Sequence, residues 1–141
     1  MFRMVICCGG GFSSSFIATR LRNRLAELGM EDRVSVDFMS LHLVGERLDE
    51  FDVVCCCPHL RTAMPGFLQK YEPKIPVYFL PQRMYGLMDF DEIYQDALDC
   101  VTLFGETGVN PVVFPNEENF FKVMRSVSYR KMYGDYHQYL K

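Results

Sequence analysis

Cys7-Cys8-Gly9-Gly10-Gly11-Phe12-Ser13-Ser14-Ser15 places thiols, glycines and hydroxyls on consecutive residues near the start of the chain. Met4-Val5-Ile6 before them reads as a short buried strand, and Phe16-Ile17-Ala18-Thr19-Arg20-Leu21 after them as the start of a helix. Backbone N–H groups at a helix start have no intrahelical acceptor, and the helix dipole adds partial positive charge there, so such a turn attracts an anion. Glycines let the backbone curl around the anion without Cβ clashes. The same field stabilises a thiolate, which makes a cysteine in the turn nucleophilic near neutral pH. These residue types in this order point to a phosphoryl group carried on sulfur.

Other chemistries that use a glycine-rich strand-to-helix turn fit less well. A Walker A loop ends in Gly-Lys-Ser/Thr, and this turn has no lysine. A dinucleotide fingerprint needs Gly-x-Gly-x-x-Gly, and Gly9-Gly10-Gly11-Phe12-Ser13-Ser14 lacks the last glycine. A low-molecular-weight tyrosine phosphatase shows Cys-x-x-x-x-x-Arg, whereas the position of the arginine is Ser14 counted from Cys8 and Ser13 counted from Cys7. Without that guanidinium the turn holds a phosphoryl group less tightly, which favours passing it on over hydrolysing it.

The elements that must position this turn alternate between strand and helix. Strands are expected at Arg3 to Cys7, Val34 to Met39, Phe51 to Cys57 and Ile75 to Leu80. Helices are expected at Ser13 to Leu28 with Gly29 as C-cap, around Leu41 to Leu48, at Leu60 to Tyr71 with Pro65 as a break or restart, and at Asp89 to Phe104. Such alternation predicts an α/β fold with an open parallel sheet flanked by helices, and its ligands bind beyond the carboxyl ends of the strands. The thiol turn follows the first strand, where that rule places a site. Residues 105–141 break the pattern: Gly105 to Pro111 reads as a linker, and Asn116 as the N-cap of a helix carrying Phe120, Phe121, Met124 and Val127 on one stripe. This C-terminal extension is expected to be helical and to pack on the domain, or to form a self-association surface through 117–141.

With 141 residues the chain is long enough for a full hydrophobic core, and a net charge of −3 with no Lys/Arg cluster argues against nucleic acid. The apolar runs are strand-sized, too short to span a membrane, and the N-terminus lacks a signal-peptide pattern, so a cytoplasmic location is expected. Cysteines at 7, 8, 55, 56, 57 and 100 include no Cys-x-x-Cys pair; they read as reduced core thiols rather than a disulfide framework or a zinc site, and no metal or other cofactor is expected.

The ordered blocks Cys8-Gly9-Gly10-Gly11-Phe12-Ser13-Ser14-Ser15, then Asp52-Val53-Val54 leading to Pro58, then Ile75-Pro76-Val77 followed by Met84-Tyr85-Gly86 resemble the enzyme IIB component of the lactose/cellobiose class of sugar phosphotransferase systems. That family carries Cys-x-x-Gly-x-Ser-x-Ser between its first strand and helix. The resemblance covers roughly residues 1–104, which it implies to be a phosphoryl-carrier domain with a four-stranded parallel sheet of order 2-1-3-4. It implies that Cys8 accepts a phosphoryl group from a phosphohistidine on enzyme IIA and passes it to a sugar bound by the membrane component IIC. It also implies that Gly9, Gly10, Gly11, Phe12, Ser13, Ser14 and Ser15 cradle the phosphate.

Cys7 precedes the expected nucleophile and is expected to be a small buried thiol, because successive strand residues face opposite ways. Cys57, Pro58, His59 and Arg61 follow the third strand, and Tyr85 follows the fourth; these are candidates for the site rim. Two other functions fit parts of the pattern. One is a cysteine-dependent hydrolase, with Asp89 or Asp91 as general acid. The other is a regulatory or assembly module with a vestigial thiol turn, its working part in 105–141.

Overall fold

A computed structural model describes residues 1–7 and 14–140, and of residues 14–17 the helical backbone only. Four strands, β1 (Phe2–Cys7), β2 (Val34–Met39), β3 (Val53–Cys56) and β4 (Val77–Phe79), form one sheet of order β2-β1-β3-β4. Every pairing is parallel. The register sets Cys7 opposite Met39 on one side and Cys56 on the other, and Cys56 opposite Phe79. Met39, Cys7, Cys56 and Phe79 are the last residues of their strands, so the four carboxyl ends finish level. The open α/β sheet read from the alternation, with the strand order implied by the resemblance, is the one observed.

Alternation along each strand divides the core between two faces. Met4, Ile6, Val53 and Cys55 pack with Leu21 and Leu25 of α1 (Ser14–Glu27) and with Ile93, Ala97 and Cys100 of α5 (Phe90–Thr107). Val5, Cys7, Val54, Cys56, Val77 and Phe79 pack with Leu41 and Val44 of α2 (Leu41–Gly45) and with Met64 and Phe67 of α3 (Met64–Tyr71). A sheet covered on both faces explains why β3 is apolar at every position.

Local chemistry sets the ends. Gly29 adopts φ +67 just past α1, and its N–H reaches the Ala26 carbonyl at 3.1 Å, a turn that favours glycine. Pro65 does not interrupt a long helix; it sits in the first turn of α3, where a missing N–H costs nothing, and Pro58–Thr62 forms a separate 3-10 turn before it. Asp52 lies outside β3, where its carboxylate accepts from Arg3 N at 2.7 Å and from Arg3 Nη2 at 3.2 Å. A short helix, α4 (Gln82–Leu87), carries Met84-Tyr85-Gly86.

The C-terminal segment differs most from expectation. No long helix starts at Asn116, whose φ of +68 is incompatible with one. Helix α5 runs past the expected end at Phe104 to Thr107, through the start of the expected linker, and beyond it, among the described residues, only a 3-10 turn at Phe120–Lys122, a five-residue helix α6 (Tyr129–Tyr133) and a 3-10 turn at Tyr136–Tyr139 are regular. The apparent stripe is divided between roles: Phe120 is half-buried, whereas Phe121 and Met124 are exposed. Val112, Phe114, Tyr129 and Tyr136 enter the α5-side core instead. Phe114 stacks on Tyr129 with ring centroids 4.7 Å apart.

Two polar devices fasten this segment. The side chain of Asn110 imitates a strand along the outer edge of β4, accepting from Val77 N at 2.8 Å and donating to the Ile75 carbonyl at 2.9 Å; Val112 N then donates to the Val77 carbonyl at 2.8 Å. Deeper in, Arg125 is 2 % exposed. Its guanidinium donates to Asp96 at 2.9 Å, to Tyr78 Oη at 2.9 Å, to Glu117 at 2.6 and 2.8 Å and to the Val127 carbonyl at 2.9 Å. Asp96 also accepts from Tyr78 Oη at 2.7 Å and from Tyr129 N at 2.8 Å. Burial pushes the Asp96 carboxyl up, and Arg125, Tyr78 and Tyr129 pull against that.

Candidate functional site

The strand order of the sheet reverses direction between β1 and β3, since the chain runs from β1 outward to β2 and then returns to β3 on the other side. A crevice at the carboxyl ends of two such strands is where open parallel sheets bind ligands. Cys8, Gly9, Gly10, Gly11, Phe12 and Ser13 lie outside the described residues, as do the side chains of Ser14 and Ser15. What is described is the pair of elements on either side. β1 ends at Cys7 in the level row of carboxyl ends, and the backbone of Ser14 opens α1. No acidic residue occupies the first turn of that helix, so its partial positive charge is not offset by a neighbouring carboxylate.

Cys57 directly follows β3 at its carboxyl end. Its N–H donates to the Cys7 carbonyl at 3.0 Å, which ties the end of β3 to the residue just before Cys8. Cys57 is fully buried and Pro58 half-buried, while His59 is exposed. The His59 ring meets the edge of Tyr85 on α4, with centroids 6.5 Å apart. The structure therefore brings His59 and Tyr85 together across the loops after β3 and β4, and sets Cys57 against the end of β1. Arg61 turns elsewhere. Its guanidinium lies over Phe79, Phe120 and Phe121, at 5.6, 4.6 and 5.4 Å from the ring centroids. Neither Phe120 nor Phe121 was flagged as a site neighbour by the sequence; the contact spans distant parts of the chain and leaves no local pattern.

The thiols near the crevice are core residues. Cys7, Cys55, Cys56, Cys57 and Cys100 are free and buried. Burial pushes the Cys55 and Cys100 thiols far up, and Cys56 is raised by its contact with the Cys7 sulfur and by burial, so these three stay protonated. Among the described residues no cluster of three or more His, Cys, Asp and Glu side chains is placed to hold a metal ion.

The carboxylates that a hydrolase would use are committed. Asp89 caps α5, accepting from Asp91 N at 3.2 Å. Asp91 receives Arg24 Nε at 2.8 Å and Nη2 at 2.7 Å, and this arginine holds its carboxyl below the usual range, the wrong direction for a proton donor. Among the described residues no helix is long and apolar enough to cross a membrane.

Comparison with solved structures places the fold beside the solution structure of a cellobiose-specific phosphotransferase IIB component protein from Borrelia burgdorferi. The TM-score is 0.58 at 22% identity, over 72% of this chain and 93% of that one. Curated protein sequences give no match. The family described as "PTS system, Lactose/Cellobiose specific IIB subunit" matches residues 3–96, a span that holds β1 from Arg3 onward, the other three strands, Cys8, and the segments bearing Cys57, Pro58, His59, Arg61 and Tyr85. On that match the chain belongs to the lactose/cellobiose-specific IIB subunits of the sugar phosphotransferase system, and with the family comes a role in that system.

Proposed function

We propose that Cys8 is the phosphoryl-carrying residue, accepting the group from a phosphohistidine of a IIA protein and delivering it to a sugar bound by a membrane IIC component. The observation that carries this reading is the family match over residues 3–96, with Cys8 directly after the β1 terminus at the point where strand order reverses. In the first transfer the Cys8 thiolate, its proton already lost to solvent, attacks phosphorus in line with the donor imidazole. The S–P bond forms as the P–N bond breaks, and the imidazole leaves with the electron pair. In the second transfer a sugar hydroxyl oxygen attacks phosphorus; the O–P bond forms as the S–P bond breaks, Cys8 leaves as the thiolate with the electron pair, and the hydroxyl proton passes to solvent. Charge on the equatorial oxygens is met by N–H groups of Gly9 to Ser15, including those opening α1, and by serine hydroxyls. Positioning dominates a metaphosphate-like transition state, so no acid–base pair is required. His59 and Tyr85, in ring contact on the segments that follow β3 and β4, would contact a docked partner. The cytoplasm, where a IIA donor and the inner face of a IIC component meet, is the location this role requires.

Incubation with phosphorylated IIA protein followed by intact-mass analysis tests the reading. A phosphoryl adduct that survives Cys7→Ser and disappears with Cys8→Ser is the expected result; an adduct retained in Cys8→Ser refutes it. The commitments of Asp89 and Asp91 disfavour the hydrolase alternative.

A further inference from the structure

A cavity of about 310 Å³ lies between α3, the carboxyl end of β4 and the C-terminal segment. Met64, Leu68, Phe79, Pro81, Val112 and Phe120 supply much of its apolar wall. Its volume sits at the lower end of the range for small-molecule sites. The charged side chains on its lining are Arg61, Glu117 and Glu118. Glu117 accepts two hydrogen bonds from Arg125, at 2.6 and 2.8 Å, and shares that cation with Asp96. Arg61 has no carboxylate partner among the described residues; its contacts are the rings of Phe79, Phe120 and Phe121. A guanidinium lying over aromatic rings keeps its in-plane N–H donors available, and those donors match a carboxylate or phosphate. The rings also restrict a long side chain that would otherwise lose rotamer freedom on binding. Val112 and Phe120 lie beyond the family match, which ends at residue 96, so the cavity is built partly from chain that the match does not cover.

We propose that this cavity binds a small organic anion with an apolar body, the body seated against Phe79, Pro81 and Phe120 and the carboxylate or phosphate on Arg61. Charge complementarity selects the occupant: an apolar chamber with one uncommitted cation at its wall prefers an amphipathic anion to a neutral molecule of the same shape. Among the described residues Glu118 is the one lining carboxylate without a cation partner, and it works against the anion. The inference does not depend on Cys8 chemistry.

The test titrates the full chain with 3-phenylpropionate, phenyl phosphate and the neutral 3-phenylpropanamide, followed by backbone amide NMR. Both the body and the head group should register: saturable shifts at Phe79 and Phe120, with the better of the two anions bound at least roughly tenfold more tightly than the amide. Arg61→Gln should bring anion and amide affinities together; it also removes the contacts with Phe79, Phe120 and Phe121, so a small fall in the thermal midpoint is expected, and an unchanged amide affinity shows that the cavity is intact. Glu118→Gln should tighten anion binding. The relative strength of phosphate and carboxylate identifies the head group. The proposal is overturned if neither anion gives saturable shifts up to its solubility, if the shifts map elsewhere, if the amide binds as well as both anions, or if Arg61→Gln keeps the anion preference.

Discussion

Arg125→Met removes the one cation from a buried cluster that joins the C-terminal segment to α5 and β4. Asp96 is fully buried and would keep its hydrogen bonds from Tyr78 Oη and Tyr129 N, but not its counter-charge. The Glu117 side chain, 11% exposed, would lose both of its bonds from the guanidinium. Methionine fills much of the arginine stem, so the cost arises mainly from the orphaned carboxylates. Breaking a buried pair in this way costs about 3–5 kcal/mol, a large share of the roughly 5–15 kcal/mol that holds a typical domain folded. For a chain of this size the thermal midpoint should fall by about 10–20 °C. Far-UV circular dichroism in a urea titration reads the effect; the chain has no tryptophan, so the summed emission of its eight tyrosines is the second probe. Adding Asp96→Asn to Arg125→Met removes the orphaned charge while keeping an acceptor for Tyr129 N, and should recover roughly 1–3 kcal/mol. The reasoning fails if Arg125→Met costs under about 1 kcal/mol, or if Asp96→Asn destabilises the Arg125→Met protein further. A point substitution is preferable to deleting 105–141, which would also strip Phe114, Tyr129 and Tyr136 from the core.

His137 bridges two carboxylates, Glu106 through Nε2 at 2.8 Å and Asp135 through Nδ1 at 2.5 Å, and Glu106 first and then Asp135 raise its pKa above the ordinary 6.5. A histidine raised on folding contributes stability that is fully present below the unfolded value and is lost as pH rises through the folded value. Its NMR titration midpoint should therefore lie above 6.5, the protection factors of Tyr136–Tyr139 amides, taken relative to their intrinsic exchange rates, should fall as the pH passes that midpoint, and Glu106→Gln should lower the midpoint. Asn110→Ala strips two backbone partners from the edge of β4, costing about 1–3 kcal/mol and raising hydrogen exchange at the Val77 amide; unchanged exchange there would show that the clamp does not hold the edge.

The sheet was legible because its signals are local. Val34 to Met39 alternates, the β3 stretch is apolar throughout as a doubly covered strand must be, and Gly29 marks a helix end by its freedom to adopt positive φ. Short elements were read less well: α4 and the separate 3-10 turn at Pro58–Thr62 are too brief to show a period. The stripe of Phe120, Phe121, Met124 and Val127 looked helical because spacing alone cannot distinguish a helix face from side chains sent in different directions by an irregular backbone.

The chain by itself determined the parallel α/β frame and the position in sequence of the Cys8–Ser15 motif directly after the first strand, since each follows from residue type and short-range periodicity. Tertiary structure decided what residues 105–141 do. Arg125 finds Asp96 and Tyr78, Asn110 finds the edge of β4, and Phe120 finds Arg61 only once distant segments pack. Such pairings are fixed by the need to satisfy buried charge and unpaired backbone groups in three dimensions, a need that no local pattern records.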